Sequence, residues 1–318
     1  MKKILVQLFI AVLLLSTNCI AQADKKYEAI DEYVKKLGKL DTLTMGTISS
    51  IVTKPFTDKE EKARAIYSWI AHNIEYDVKM AKSGNVNKNS PTEVLQYRKA
   101  VGIGFASLFQ DMCSSADIRC LTADGYLKYS AEQIGESDIE INHSWAVVQL
   151  GKSPEQWYYV DAALASGTSD AAMKIFTPSF STAYFFPDRK TFNWQHFPDN
   201  EAWKLGEAPK NKKDFYALPV IKTGAYEFEL TKFSPAAGKI KTKNVAEVTF
   251  SLSFSNTSDI NKVELVYGEP KKQQTKEVTF KSSSGSISFS NMFKEGEYPV
   301  MIKINGKEVI SYFIESEE

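Results

Sequence analysis

The sequence predicts an α+β chain in two parts: helices packed on an antiparallel sheet, followed by a β-sandwich. Three observations carry that prediction. Apolar residues recur at helical spacing through the first half of the chain. Two later runs alternate with period two on either side of Gly151-Lys-Ser-Pro154. From about residue 226 onward, short alternating segments follow one another between turn signals, with no His or Cys among them.

A chain of 318 residues exceeds one ordinary domain. The expected division is a leader at 1–23, a mixed helix–sheet domain at 24–215 and a sandwich at 216–318. Hydrophobic residues make up 43% and charged residues 25%, as in soluble globular proteins. A formal net charge of zero removes any bulk attraction to nucleic acid or acidic lipid.

The first residues read as an export signal. Lys2 and Lys3 precede an apolar run at 4–15, broken only by Gln7, and Ala21-Gln-Ala23 offers a small-x-small cleavage site. The run is too short to span a bilayer. The mature chain is expected to begin near Gln22 or Asp24, in the periplasm or outside the cell, with no membrane span. Lipid attachment at Cys19 is the lesser expectation, because Ser16-Thr-Asn18 is a poor context for it. The remaining Cys113 and Cys120 read as small buried side chains, with a disulfide as the alternative in an oxidising compartment.

Along the chain, Tyr27, Ile30, Val34 and Leu37 stripe a short helix closed by Gly38. Thr57-x-x-Glu60 reads as a capping box for a second helix, with Ala63, Ile66, Ile70 and Ile74 on its apolar face. His72 falls on the outer surface of that helix. A polar spacer at 82–90 leads to Ser90-Pro-Thr-Glu93, a cap with Pro at the first helical position. Gly102 and Gly104 then read as a tight turn into a helix that buries Phe105, Leu108, Phe109 and Met112.

Strands are expected at 120–127, 141–150 and 157–162. Pairing the last two about Lys152 sets Val147 opposite Trp157 and His143 opposite Asp161. The two-residue period then puts His143, Trp145 and Asp161 on one face. Further strands are expected at 226–230, 248–254, 263–267, 278–280 and 287–289. Asn305-Gly306 joins 300–304 to 309–313 as a tight hairpin. Such a succession of short strands indicates an immunoglobulin-like sandwich.

Three segments carry a resemblance. Val101-Gly-Ile-Gly-Phe-Ala106 resembles the Val-Cys-x-Gly-Tyr-Ala segment of the transglutaminase-like (papain-type) superfamily. Asn142-His-Ser-Trp145 and Val160-Asp-Ala-Ala163 resemble its His and Asp motifs. The likeness covers roughly residues 40–215 and points to the kyphoscoliosis-peptidase-like branch, whose His-Phe-Pro unit before a Trp is similar to His196-Phe-Pro198 and Trp203. It implies a papain-like core in which a Cys attacks a carbonyl, a His moves the proton and an Asp orients the His.

By that resemblance His143 is the base and Asp161 its orienter, but Gly102 stands where the nucleophilic Cys belongs. Losing the nucleophile from such a unit costs on the order of 10⁶ in turnover. The expected protein is therefore a catalytically inactive member that binds a polypeptide or cell-wall peptide. The alternative is a cysteine-type peptidase or acyl transferase that uses an unrecognised nucleophile with His143 and Asp161. His196 reads as a structural donor. No cofactor is implied, and three His far apart in the chain show no metal-ligand spacing.

Overall fold

The computed structural model describes residues 26–84, 89–136, 138–153, 156–170, 173–244, 246–255, 260–268 and 272–318. The expected leader at 1–23 and the centre of the polar spacer at 82–90 lie outside them. By compactness the chain forms two units. One comprises Met1–Cys120, Val148–Leu150 and Ala162–Ser181; the other comprises Leu121–Val147, Gly151–Asp161 and Thr182–Glu318.

The first unit is mainly helical. Helix α1 (Glu28–Leu37) buries Ile30 and Val34 and ends on Gly38 at φ +64°. Helix α2 (Met45–Thr53) occupies a stretch for which the sequence pattern assigned no element. Its Ser49 hydroxyl donates to the Met112 carbonyl at 2.7 Å, and Ile48 and Val52 are fully buried. Tertiary burial here overrides the weak helix propensity of a Thr-, Ser- and Ile-rich segment.

Helix α3 (Lys59–Asn73) begins one residue later than the expected cap. Asp58, not Thr57, accepts from the Glu60 and Glu61 amides at 2.8 and 3.2 Å. Glu60 cannot complete a capping box because its carboxylate is held by Lys26 and Tyr27. At helix α4 (Pro91–Tyr97) the box is real: Ser90 Oγ accepts from the Glu93 amide, and Glu93 accepts from the Ser90 amide.

Helix α5 (Gly102–Ser115) buries Phe105, Leu108, Phe109 and Met112 as the spacing predicts. Its glycines, however, are not there to turn the chain, since neither Gly102 nor Gly104 has positive φ. Gly104 serves close approach instead. A Cβ there would lie 2.5 Å from Asn89 Oδ1 and 2.8 Å from Ala100 Cβ.

In the second unit a four-stranded sheet runs in the order β3-β2-β1-β4. Its strands are β1 (Arg119–Leu127), β2 (His143–Gln149), β3 (Trp157–Val160) and, after helix α6 (Arg189–Gln195), β4 (His196–Pro198). Strand β4 is antiparallel to β1, with His196 opposite Leu127 and Phe197 opposite Tyr126. Trp145, Val147, Tyr159 and Phe192 form its apolar cluster.

The C-terminal strands build two further sheets. One has the order β5-β7-β11-β10, from β5 (Leu230–Ser234), β7 (Glu247–Phe254), β10 (Lys281–Ser283) and β11 (Ser286–Met292). The other has the order β6-β13-β12-β8-β9, from β6 (Lys239–Lys243), β8 (Val263–Tyr267), β9 (Gln274–Glu277), β12 (Gly296–Ile304) and β13 (Lys307–Glu317). Phe250, Leu252 and Phe289 from the first share one core with Val300, Ile302 and Tyr312 from the second, which makes a sandwich. The Asn305-Gly306 turn has φ of +49° and +81°, the mirror-image geometry that suits a two-residue hairpin.

Two expected strands are absent. Residues 226–230 are not a strand: Thr223–Glu227 is a helical turn, with the Tyr226 hydroxyl on Gln195 and its ring against Tyr184, and the strand starts only at Leu230. Residues 278–280 are where the chain leaves one sheet (β9) for the other (β10): the Val278 amide still donates to the Val263 carbonyl at 3.0 Å, but the three residues belong to no strand. No described helix is long and apolar enough to cross a membrane.

Candidate functional site

The site is built where strand ends meet. Asn142 sits just before β2, and its side chain clamps Leu127, accepting from the Leu127 amide at 2.8 Å and donating to its carbonyl at 3.0 Å. That clamp sets the position at which His143 enters the sheet. Ser144 then falls on the opposite face, where its hydroxyl donates to Asp124 at 2.6 Å. Trp145 returns to the His143 face and stacks beside it, with ring centroids 6.3 Å apart.

Asp161 follows β3 and is anchored by its own amide, which donates to the Tyr184 carbonyl at 3.0 Å. Its Oδ2 lies 2.6 Å from His143 Nε2. The His143–Asp161 contact expected from hairpin arithmetic is therefore present. The structure adds a third member, because His196 Nε2 approaches the same oxygen at 3.1 Å. His196 stands at the junction of α6 and β4, packed flat on Phe192 and edge-on to Trp145. All three side chains are essentially inaccessible, at 0–1% exposure.

Burial alone would raise the Asp161 pKa. Attraction to His143 and hydrogen bonds from both imidazoles outweigh it and hold the carboxyl well below its usual range. His196 moves the other way from an ordinary histidine: burial lowers its pKa to about 4 against the favourable pull of Asp161. His196 is thus neutral at pH 7, with its proton on Nε2 facing the carboxylate. Its Nδ1 is then a lone pair near the Phe192 carbonyl, another acceptor, and it makes no hydrogen bond.

The same logic assigns the His143 proton to Nε2 and leaves Nδ1 basic. The hydroxyl of Tyr129 lies 3.4 Å from that Nδ1 and 3.3 Å from the Asn142 carbonyl. The three donors of His143, Asp161 and His196 also fall within 4.8 Å of one another. The sequence reading saw no ligand spacing because residues 143, 161 and 196 are remote in the chain. In the folded chain both Nε2 atoms point at one carboxylate oxygen.

Gly102 is the first residue of α5. Val101 before it is extended, and its amide donates to Asn89 Oδ1 at 3.0 Å. Gly102 belongs to the first compact unit, and the two histidines with Asp161 belong to the second.

A sheet-borne His with an Asp as its partner is the arrangement the family resemblance leads one to expect. Residues 47–162, which include positions 102, 143 and 161, match the transglutaminase-like superfamily. The chain carries a transglutaminase-like domain. Its curated relatives include human kyphoscoliosis peptidase, 32% identical over 224 residues that make up 69% of this chain and 33% of that one. The mouse kyphoscoliosis peptidase is 33% identical over 198 residues, 62% of this chain and 29% of that one. This chain therefore spans about a third of the length of the curated relatives it matches. Among solved structures, a TGase overlaps 43% of this chain and 32% of its own at 16% identity, with a TM-score of 0.27, too low to carry an argument.

Two members of the constellation escaped the sequence reading in its full form. His196 is expected from the sequence only as a structural donor, and its partner is Asp161 itself. Tyr129 was not singled out. The signal that finds it is the Leu127–Asn142 pairing, which brings the end of β1 to the start of β2, and only folding establishes that register.

Proposed function

We propose that this protein is an exported transglutaminase-like protein that has lost cysteine catalysis and binds a polypeptide or cell-wall peptide. The observation that supports it is the state of the two thiols among the described residues. Gly102 takes the motif position of the family's nucleophile. Cys113 and Cys120 are buried and not joined in a disulfide, and burial together with the neighbouring Cys120 pushes the Cys113 thiol well above its ordinary pKa. A protonated buried thiol is neither nucleophilic nor accessible. Without a thiol partner, the His143–Asp161–His196 cluster acts as a buried polar core that keeps its end of the sheet rigid.

The test compares peptide hydrolysis and acyl transfer by the purified chain before and after alkylation with iodoacetamide, alongside Gly102→Cys. The expected result is no thiol-dependent turnover in the wild type and its appearance in Gly102→Cys, with a fresh thiol that alkylates faster than an ordinary cysteine. Wild-type turnover abolished by alkylation would overturn the proposal. A pull-down of envelope peptides on the immobilised chain then reads the binding half of it.

A further inference from the structure

The imidazole that lacks a thiol partner does not lack a hydroxyl. Tyr129 Oη sits 3.4 Å from His143 Nδ1, His143 Nε2 sits 2.6 Å from Asp161 Oδ2, and His196 donates to the same oxygen at 3.1 Å. We propose that Tyr129 is a base-assisted phenol: a modification site that accepts an acyl group from an activated ester. This goes beyond the binding proposal, since one stoichiometric acylation needs neither a thiol nor turnover.

Four features of the geometry support it. First, an ionised carboxylate can only accept, so the proton between His143 and Asp161 belongs to Nε2 and Nδ1 presents a lone pair to the phenol. Second, the base is buried while the residue that carries the phenol reaches the surface: the His143 side chain is 1% exposed and Tyr129 as a whole is 40% exposed. Third, the phenol is carried on a fixed backbone. The Tyr129 amide donates to Gln133 Oε1 at 2.6 Å, and its carbonyl accepts from Lys222 Nζ at 2.7 Å. Fourth, the hydroxyl is the part of the tyrosine nearest the base: Oη lies 3.4 Å from Nδ1 while the ring centroids are 6.4 Å apart. At 3.4 Å the hydrogen bond is long, as such bonds commonly are before a substrate tightens them.

The chemistry balances without any external reagent but the ester. Tyr129 Oη attacks the carbonyl carbon of an aryl ester, and its proton passes to His143 Nδ1. The resulting imidazolium is stabilised by Asp161. The Oη–C bond forms as the bond from carbon to the aryl oxygen breaks, and the departing aryloxide takes the proton back from His143. The products are O-acyl-Tyr129 and a free phenol. Asp161, fixed by two imidazoles, orients the base.

The test incubates the full chain with p-nitrophenyl acetate and follows p-nitrophenolate release, then locates acetyl groups by peptide mass spectrometry. Tyr97, an exposed tyrosine at 47%, is the internal reference. The expected result is Tyr129 acetylated at least ten times faster than Tyr97 at neutral pH. The fast labelling should already be present at neutral pH, well below the phenol range near 10. Tyr129→Phe should remove the fast phase, and His143→Gln should slow it about ten-fold. Equal labelling of Tyr129 and Tyr97, or a rate that climbs only toward the phenol range, overturns the proposal. Those two wild-type readings decide it even if His143→Gln does not fold. Prior alkylation with iodoacetamide should leave the fast phase intact, which separates it from any thiol chemistry.

Discussion

The imidazole of His196 lies parallel to the ring of Phe192, with centroids 3.8 Å apart and an interplanar angle of 0°. The two residues are four apart, on the last turn of α6 and the first residue of β4. Stacking on one face and Trp145 at the edge seal the imidazole from water, and that sealing is why it stays neutral.

The protonation of His196 makes stability depend on pH. Its folded pKa is about 4, below the ordinary 6.5. As pH falls from 6.5 toward 4, the unfolded chain takes up a proton at this position and the folded chain does not. Unfolding therefore becomes easier by up to ~1.4 kcal/mol per pH unit, roughly 3 kcal/mol in all. Below pH 4 this residue adds no further slope, but Asp161 does, in the same direction, because its folded carboxyl resists protonation longer than the unfolded one. Urea unfolding from pH 7 to pH 4 should show a shallower loss in His196→Gln, and an unchanged slope would mean that His196 is not held neutral.

Asp161→Asn replaces the carboxylate oxygen that both imidazoles share with a neutral amide oxygen. A loss of about 2–3 kcal/mol is expected, because two hydrogen bonds to a charged acceptor become weaker neutral ones. The urea midpoint at pH 7 checks this. Combined with His196→Gln, the two losses should sum to more than the double variant shows, since both remove one interaction.

Gly125→Ala should be among the harsher small substitutions in the chain. A Cβ there would lie 2.3 Å from the Phe197 carbonyl oxygen, 2.7 Å from Trp145 Cη2 and 2.8 Å from Pro198 Cα. Backbone of β4 cannot yield without moving His196, so a destabilisation of about 3 kcal/mol is expected. Gly46→Ala is the control. Nothing lies within 4 Å of its Cβ position in α2, and it should be neutral or stabilising. Thermal unfolding of the pair reads the difference.

Lys128→Met tests the support beneath Tyr129. Lys128 is 2% exposed, and its Nζ donates to the carbonyls of Phe215, Leu218 and Pro219 at 2.6, 2.9 and 3.2 Å. Burial lowers the pKa of this amine well below its ordinary value. Methionine keeps the length of the side chain but donates nothing, so three carbonyls lose the Lys128 hydrogen bond and only that of Phe215 keeps another donor, the Leu218 amide, at a cost of about 3 kcal/mol. Earlier proteolytic nicking near residues 215–219, together with a lower urea midpoint, is the expected readout.

Much of this was legible before folding. The stripes of α1, α3 and α5, the alternation of β7 and β12 and the Asn305-Gly306 turn are local patterns, and local patterns are written in neighbouring residues. The His143–Asp161 pair was also legible, because a hairpin converts sequence distance into contact by simple counting. Helix α2 was not, since Met45-Gly-Thr-Ile-Ser-Ser-Ile-Val-Thr53 has no strong preference of its own and becomes helical by burying Ile48 and Val52. The turn at Tyr226 read as a strand because alternation in so short a run does not distinguish a sheet from a docked aromatic.

Residue types, their spacing and a motif shared with a known superfamily were enough to name the class of domain and to mark position 102 as lacking a side chain. Three things had to wait for the folded chain: that His196 shares Asp161 with His143, that Tyr129 meets the remaining nitrogen, and that Gly104 and Gly125 exist to let neighbours in. Each depends on the register or packing of segments tens of residues apart. Such distances are set by the balance of burial over the whole molecule, which no stretch of sequence carries alone.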